Sequence, residues 1–329
     1  MASRCPCRAG LVLRPRDLVG GWPTKGAHET MFASANPPGR QLMVALPTLF
    51  DGTGGLDTGS VKATCELAAD SLADGAFVGG TTGEFLALER KERQEILEVA
   101  QSGLGAKRLI AHIGAPSARQ AVAVANDAAE IGAKEFALLT PLYLPASADA
   151  TVRFFEEVAT ALPSGSRLYA YLFRARTTTE VTVETLRRIA DIAPLVGVKV
   201  SGETLARCQE YKAAVRPDFE VFTGSDREYA SVAEAGLTGV VSGIASCFPE
   251  PFDALNRALA ADDAERIHEA DATVQEVVSA LAGDIAQIKA VLALRGIGTV
   301  ATRQPMDPVS EEVRAHLGRL LDHVAGASR

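Results

Sequence analysis

The amino-acid sequence predicts a (β/α)8 barrel, the TIM-barrel fold, followed by a C-terminal helical segment. Between residues 41 and 262, eight short apolar runs alternate with helical patterns. Strands that alternate with helices are typically parallel strands joined by crossover helices, and eight such units are typical of a closed barrel. The alternative is a doubly wound open sheet, but no G-x-G-x-x-G motif follows the first predicted strand.

The predicted strands are apolar runs that are too short for helices. In chain order they are Leu42–Leu49, Ala76–Gly79, Arg108–Ile113, Glu135–Thr140, Arg167–Phe173, Leu195–Val200, Phe219–Thr223 and Thr238–Ser242. Each strand is followed by a segment whose apolar residues have helical spacing. These predicted helices are Ser60–Ala73, Arg90–Ala100, Ala118–Ile131, Val152–Ala161, Val183–Ile192, Thr204–Ala214, Arg227–Ala235 and Pro251–Ala260.

The two ends of the chain differ from this alternation. Residues 1–40 contain several Arg, Gly and Pro residues without periodicity, and we expect a disordered N-terminal extension, with Met31 as an alternative start. Residues 263–329 show no strand pattern and predict a helical segment that serves architecture or oligomer contacts rather than chemistry. Its three predicted helices are Ala264–Leu281, Ile285–Leu294 and Pro308–Val324.

Composition excludes several classes of function. The chain has 329 residues, 47% of them hydrophobic, and a net charge of -8, so it lacks the basic surface typical of nucleic-acid binding. No apolar run reaches the length of about 18 residues that a membrane span needs. The five cysteines form no C-x-x-C motif and the five histidines have no metal-ligand spacing, so we expect reduced thiols, a cytoplasmic protein, and no metal or other cofactor. Packing or surface positions are expected for the histidines.

A lysine lies near the end of the sixth predicted strand. In the run Val196–Val200, Lys199 follows three apolar or small residues, which indicates a buried position. Burial disfavours the charged ammonium form, and a neutral lysine amine can attack a carbonyl carbon to form a Schiff base. The alternative is a strand-end lysine whose side chain reaches water.

Other reactive residues end or follow strands that would open on the same mouth of the barrel. Tyr171 lies in the fifth strand, and Arg174 and Arg176 follow it. The loop after the second strand is Gly79-Gly80-Thr81-Thr82-Gly83-Glu84-Phe85, whose free N–H groups and hydroxyls suit a carboxylate. This loop lacks the lysine of a phosphate-binding P-loop, and its alternative is a plain glycine-rich turn.

From about Gln41 onward, the chain resembles the dihydrodipicolinate synthase / N-acetylneuraminate lyase family of pyruvate-dependent class I aldolases. The motifs that carry the resemblance occur in the family's order. They are G-G-T-T-G-E-F (79–85), T-P-L-Y (140–143), Y-L-F-R-A-R-T (171–177), G-V-K (197–199), G-S-D (224–226) and G-V-V-S (239–242).

The resemblance implies a set of catalytic residues. Lys199 would form the Schiff base with pyruvate or another 2-oxo acid, and Tyr171 would be the phenol that shuttles protons. Thr82 would join Tyr171 in a proton relay. Tyr143, contributed by a neighbouring subunit, would complete that relay, which implies a homodimer or homotetramer.

The resemblance also implies substrate-binding residues. Thr81 and Thr82, with the backbone of Gly80, would hold the pyruvate carboxylate, and Val241 would pack near the pyruvate. Arg176 matches the arginine that binds the carboxylate of the aldehyde partner in the synthase branch.

Tyr169 competes with Tyr171, because alternation places both side chains on the same face of the strand. The family spacing to Lys199 favours Tyr171. The chain departs from the family pattern at several positions, and the residues of the lysine-feedback site are not recognisable. Departures are Arg174 for Pro, Thr178 for Gly, Val200 for an acidic residue and Ser246 for Asn.

We therefore expect a lyase that condenses pyruvate with an aldehyde acid or releases pyruvate from such a product. One alternative is an aldolase or dehydratase of 2-oxo-3-deoxy sugar acids, which the Gly83-Glu84-Phe85 sequence also fits. An alternative of another class is a non-catalytic protein that binds 2-oxo acids.

Overall fold

The computed structural model describes Asn36 and residues 39–327, and it confirms the TIM barrel. Most of the extension predicted for residues 1–40 therefore lies outside the described residues. The eight strands are all parallel and close into a barrel in chain order. They are β1 (Gln41–Ala45), β2 (Gly75–Val78), β3 (Arg108–His112), β4 (Glu135–Leu139), β5 (Arg167–Leu172), β6 (Leu195–Val200), β7 (Glu220–Thr223) and β8 (Gly239–Ser242).

Side-chain alternation along each strand divides the apolar residues into two layers. In β6, Val198 and Val200 face the surrounding helices, whereas Lys199 and Gly197 face the barrel interior. At Gly197, a Cβ atom would lie only 2.6 Å from the ring of Tyr169. Glycine is therefore required where that ring crosses the interior.

Eleven helices occur in the described part of the chain. They are α1 (Thr58–Asp70), α2 (Arg90–Leu104), α3 (Ala118–Glu130), α4 (Ala148–Ala161), α5 (Arg174–Thr177), α6 (Val183–Ala190), α7 (Leu205–Ala213), α8 (Pro249–Ala261), α9 (Ala264–Leu281), α10 (Ile285–Leu294) and α11 (Glu311–Ala327). Short 3-10 helices follow β2, β7 and β8.

The first predicted strand and the seventh predicted helix differ from the structure. The first predicted strand extends to Leu49, but β1 ends at Ala45, because Pro47 has no N–H to continue the ladder. The predicted helix Arg227–Ala235 is a 3-10 helix over Asp226–Ser231. There the buried Tyr229 hydroxyl donates to the Arg40 carbonyl, and this tertiary contact outweighs local helix propensity.

The C-terminal helices pack on the barrel. The bounds of α9 and α10 are as predicted, while α11 begins at Glu311 rather than Pro308, because the Ser310 hydroxyl accepts a hydrogen bond from the Val313 N–H as an N-cap. No single helix among residues 39–327 is long and apolar enough to cross a membrane. Only α9 and α10 taken together, at a 113° bend, meet that criterion of length and composition.

An ionic network fills the end of the barrel interior at which the strands begin. Arg108 donates to Glu135 at 2.8 Å and to Glu220 at 3.0 Å, and Arg167 donates to Glu220 at 2.7 Å. The Tyr169 hydroxyl donates to Glu220 at 2.9 Å. These paired charges close this end of the interior, opposite the carboxyl ends of the strands.

Candidate active site

Lys199 and Tyr171 meet at the carboxyl end of the barrel. They are register partners on β6 and β5, and the Lys199 Nζ lies 4.4 Å from the centroid of the Tyr171 ring. The same Nζ lies 4.6 Å from the centroid of the Phe77 ring, and Lys199 is only 7% exposed. The predicted burial of this lysine is thus observed, and its amine is lined by aromatic rings.

Tyr171 links the lysine to the glycine-rich turn after β2. Its hydroxyl lies 3.1 Å from the Thr81 Oγ1, close enough for a hydrogen bond in either direction. The Tyr171 ring packs edge-on against Phe77, with centroids 5.7 Å apart. Lys199, Tyr171 and Thr81 therefore form one contiguous group.

Thr82 is not the threonine that contacts Tyr171. The prediction paired Thr82 with Tyr171, but the hydroxyl at hydrogen-bond distance is that of Thr81, while the Thr82 side chain lies beside Gly243 in the loop after β8. The turn is closed by the hydrogen bond from the Glu84 N–H to the Thr81 carbonyl. In such a turn consecutive side chains point in different directions. The sequence therefore does not show which of two adjacent threonines contacts Tyr171.

The structure separates the two competing tyrosines. Tyr169 shares the interior face with Tyr171, as predicted, but it belongs to the ionic network at the closed end. Burial raises the pKa of Tyr169 well above its ordinary value, so its hydroxyl keeps its proton. Tyr171, by contrast, lies beside Lys199 at the carboxyl end of the barrel.

The two arginines after β5 lie on the short helix α5 and are exposed. Arg174 forms an ion pair with Glu180 at 3.3 Å. Arg176 lies over the ring of Phe173, with 5.8 Å between its Cζ and the ring centroid, and Phe173 in turn packs against Tyr171. Of the two guanidinium groups, that of Arg176 is connected to the site through an aromatic side chain.

The remaining predicted residues occupy different positions. Val241 is buried on the interior face of β8, and a Cβ atom at Gly80 would approach the Phe77 ring to 3.1 Å. Tyr143 is 84% exposed and has a positive φ of 75°. The partner-subunit role of Tyr143 stays a prediction.

Glu84 and Lys289 form a buried ion pair that the sequence did not indicate. Both side chains are fully buried, and the Lys289 Nζ donates to Glu84 Oε1. The second carboxylate oxygen of Glu84 accepts from the N–H groups of Arg303 at 2.9 Å and Gln304 at 2.8 Å. The C-terminal segment, expected to serve architecture or oligomer contacts, thus contacts the turn that carries Thr81.

Asp226 is a second residue that the sequence did not single out. It follows β7, and its Oδ1 is buried without a hydrogen-bond partner among the described residues. Burial raises the pKa of its carboxyl to about 6, whereas a hydrogen bond from Ser242 and the charge of Lys199 act in the opposite direction. Its membership of the G-S-D motif was the one signal that could have drawn attention to it.

Replacement of Asp226 by asparagine is expected to change how stability depends on pH. The folded-state pKa of about 6 is above the ordinary value of 3.8. The protonated Asp226 carboxyl therefore makes its full contribution to the free energy of unfolding below pH 3.8, and this contribution is lost as the pH rises through about 6. Relative to the wild type, the free energy of unfolding of Asp226→Asn should therefore increase by up to about 3 kcal/mol between pH 4 and pH 7, because a pKa difference of one corresponds to about 1.4 kcal/mol. Urea unfolding of both proteins at several pH values measures this, and a pH-independent difference would contradict it.

Among residues 39–327, no group of three or more His, Cys, Asp or Glu side chains could hold a metal ion. The described cysteines, Cys65, Cys208 and Cys247, are buried and unpaired.

Comparison with known proteins gives consistent results. The model of the dihydrodipicolinate synthetase family matches residues 39–324. An uncharacterized DapA-like lyase of Halobacterium salinarum is 33% identical over 273 residues, which cover 82% of this chain and 89% of that protein. The 4-hydroxy-tetrahydrodipicolinate synthase of Coxiella burnetii is 26% identical over 285 residues, covering 86% of this chain and 97% of that protein.

Solved structures show the same fold. YagE, a prophage protein of the dihydrodipicolinic acid synthase family from E. coli K12, was solved in complex with pyruvate. It matches this chain with a TM-score of 0.79 at 23% identity, covering 87% of this chain and 98% of YagE.

Proposed function

The chain belongs to the dihydrodipicolinate synthetase family of lyases, and from this premise we propose that it is a pyruvate-dependent enzyme that forms a Schiff base on Lys199. The observation that carries the proposal is the contiguous group of the Lys199 amine, the Tyr171 phenol and the Thr81 hydroxyl at the carboxyl end of the barrel. A nucleophilic amine with an acid–base group in reach is what Schiff-base chemistry requires.

The proposed reaction begins at the carbonyl carbon of the 2-oxo acid. The Lys199 amine, in its neutral form, adds to C2. The oxygen leaves as water, with one proton from that amine and one delivered by Tyr171, and a protonated iminium ion forms. Loss of a proton from C3 to Tyr171 gives the enamine, whose C3 adds to the carbonyl carbon of an aldehyde while the aldehyde oxygen takes up a proton. Hydrolysis of the new iminium frees Lys199, and the reverse sequence cleaves the same bond. No metal is needed, because the iminium itself withdraws the electron pair.

Thr81 supports Tyr171 in this scheme. A phenol with an ordinary pKa of about 10 is a weak base, and a hydrogen-bonded hydroxyl can receive or return the proton. Thr82 and the backbone of Gly80 are left to bind the pyruvate carboxylate, with Val241 packing against its methyl group.

Two observations favour different second substrates. The exposed Arg176 guanidinium suits the carboxylate of an aldehyde acid, which it could bind through two parallel hydrogen bonds. The unpaired Oδ1 of Asp226 instead suits a hydroxyl donor, as in a 2-oxo-3-deoxy sugar acid. We place condensation or cleavage with an aldehyde acid first and the sugar acid second.

We also propose a homodimer or homotetramer. Tyr143 is 84% exposed, and Leu144 beside it is 70% exposed. Exposed apolar side chains at a site mouth suit burial against a second copy, which could bring Tyr143 of one subunit to the relay of the other. The cytoplasmic location remains a prediction from the cysteine pattern.

The test of the proposed function is borohydride trapping. The wild-type protein is incubated with pyruvate and sodium borohydride, and the adduct is located by intact mass and peptide mapping. We expect a pyruvate adduct on Lys199 and none on Lys289, the other buried lysine, whose ammonium is paired with Glu84. A folded protein that gave no adduct with pyruvate or any other 2-oxo acid would instead be a binding protein or act by other chemistry.

Tyr171→Phe is expected to slow proton transfer by about 100-fold or more, because the phenol is the proposed acid–base group. The measurement is exchange of the pyruvate C3 protons with D2O, followed by NMR, which needs no knowledge of the aldehyde. Tyr169→Phe is the matched control. It should leave the exchange rate unchanged while lowering the free energy of unfolding by about 1–3 kcal/mol, because buried partners lose a hydrogen bond. Equal rates for the two variants would refute the assignment of Tyr171.

A further inference from the structure

His112 is a buried imidazole that the proposed reaction does not use. It is the last residue of β3 and is only 1% exposed. Its ring packs edge-on against two aromatic rings, with centroid separations of 4.5 Å to Phe85 and 5.9 Å to Tyr171. The imidazole therefore lies inside the barrel, in contact with the proposed acid–base residue.

One ring nitrogen of His112 contacts the glycine-rich turn. Nδ1 lies 2.8 Å from the carbonyl oxygen of Gly79, the first residue of that turn, which has a positive φ of 68°. A carbonyl oxygen can only accept, so Nδ1 carries the hydrogen and donates. Burial, reinforced by the charges of Arg93 and Lys199, holds the pKa of His112 well below its ordinary value. The ring is thus the neutral tautomer that is protonated at Nδ1.

The other ring nitrogen, Nε2, is buried and has no hydrogen-bond partner among the described residues. An unpaired buried acceptor is destabilising, and an apolar side chain of similar size would avoid that cost. The surrounding backbone is also shaped for this ring. A Cβ atom at Gly114 would lie 2.6 Å from Nε2, and the Arg93 guanidinium donates to the carbonyls of His112 at 2.8 Å and Gly114 at 3.0 Å.

From this geometry we propose that His112 is a positioning residue for the proton relay. Its Nδ1–H holds the Gly79 carbonyl, which fixes the turn and so places the Thr81 hydroxyl against Tyr171. The imidazole does not exchange protons with the substrate; its contribution is the donor at Nδ1. This inference rests on the proposed function, because it assigns a role within that relay.

The test uses three variants at this position. In His112→Asn, the amide nitrogen occupies nearly the place of Nδ1 and can still donate to Gly79. His112→Leu keeps the volume without a donor, and His112→Phe replaces it if the leucine variant does not fold. Rates of pyruvate C3 exchange at saturating pyruvate, half-saturating pyruvate concentrations and urea-unfolding midpoints are measured for each.

We expect the leucine or phenylalanine variant to exchange about tenfold more slowly, as for the loss of one hydrogen bond of about 1.4 kcal/mol, with nearly unchanged half-saturation. The exchange rate of His112→Asn should stay within about threefold of the wild-type rate, although its loss of stability is similar to that of the apolar variant. A rate that is restored by the amide donor alone would show that His112 acts by positioning and not by packing. The inference is overturned if the apolar variant keeps the wild-type rate, or if the asparagine variant is as slow as the apolar one.

A measurement on the wild type tests the tautomer independently. The 15N shifts of His112 should show a protonated Nδ1 and an unprotonated Nε2, and the opposite tautomer would overturn the inference. A wild-type protein that neither exchanges pyruvate protons nor traps pyruvate would instead refute the proposed function, so the two failures are distinguishable.

Discussion

Lys199→Ala is expected to lower the rate of pyruvate C3 exchange by at least about 10⁴-fold, as for the loss of a nucleophile whose covalent intermediate is required for every later step. Among residues 39–327, no other amine is placed to replace it. Lys289 is fully buried and paired with Glu84, and Lys199 has Phe77 and Tyr171 rather than another lysine as its neighbours. Borohydride with pyruvate should leave no adduct on the variant.

Lys199→Arg is the control that separates nucleophile from cation. A guanidinium keeps the positive charge but is not a nucleophile at neutral pH, because its pKa is above about 12. If Lys199 acts through the Schiff base, the arginine variant is as inactive as the alanine variant. Substantial exchange by Lys199→Arg would mean that the residue acts only by attracting the substrate carboxylate. Circular dichroism and urea unfolding confirm that both variants fold.

The strands were predictable because each depends on a local pattern. The run Leu195–Val200 has the same bounds in the sequence pattern and in the structure, and the burial that it indicates for Lys199 is observed. A parallel strand surrounded by helices must be apolar on one face along its whole length, and this pattern is visible without tertiary information. The barrel order followed from the number of β–α units.

The relative depth of side chains in the interior was not predictable. Tyr169 and Tyr171 lie on the same face of β5, and only the closed end of the barrel, where Arg108 and Glu220 meet, shows that Tyr169 belongs to a structural network. Likewise, the choice between Thr81 and Thr82 depends on the direction of each side chain in a tight turn. Sequence periodicity determines which face a residue occupies, but not its neighbours from other strands.

Contacts between distant segments of the chain could not be predicted from the sequence either. Glu84 and Lys289 are 205 residues apart in the chain, and nothing in the local sequence of either residue indicates the other. His112 had no distinguishing signal in the sequence, and Asp226 had only its place in the G-S-D motif. Their buried, unpaired atoms become visible only when the strands are assembled. Both residues lie near the group formed by Lys199, Tyr171 and Thr81.

Lys289→Met is expected to lower the free energy of unfolding by about 3–5 kcal/mol, because it leaves the Glu84 carboxylate buried without its cation. Lys289 also donates to the Ala301 carbonyl at 2.9 Å and lies 4.4 Å from the centroid of the Phe50 ring, so the substitution removes several contacts at once. Glu84 lies three residues after Thr81 in the same turn. We therefore expect pyruvate C3 exchange to slow as well, even in protein that remains folded.

The double variant Glu84→Gln with Lys289→Met separates the cost of the unpaired charge from the loss of packing. The glutamine carbonyl can still accept from the N–H groups of Arg303 and Gln304, as Glu84 does, while the buried charge is gone. If the unpaired carboxylate causes the loss, the double variant should be more stable than Lys289→Met by about half the original deficit or more.

Urea unfolding of the wild type, both single variants and the double variant completes the cycle. A double variant whose loss equals the sum of the two single losses would show that the ion pair contributes no coupling. The segment after α10 would then hold the turn through Glu84 and the two backbone N–H groups alone.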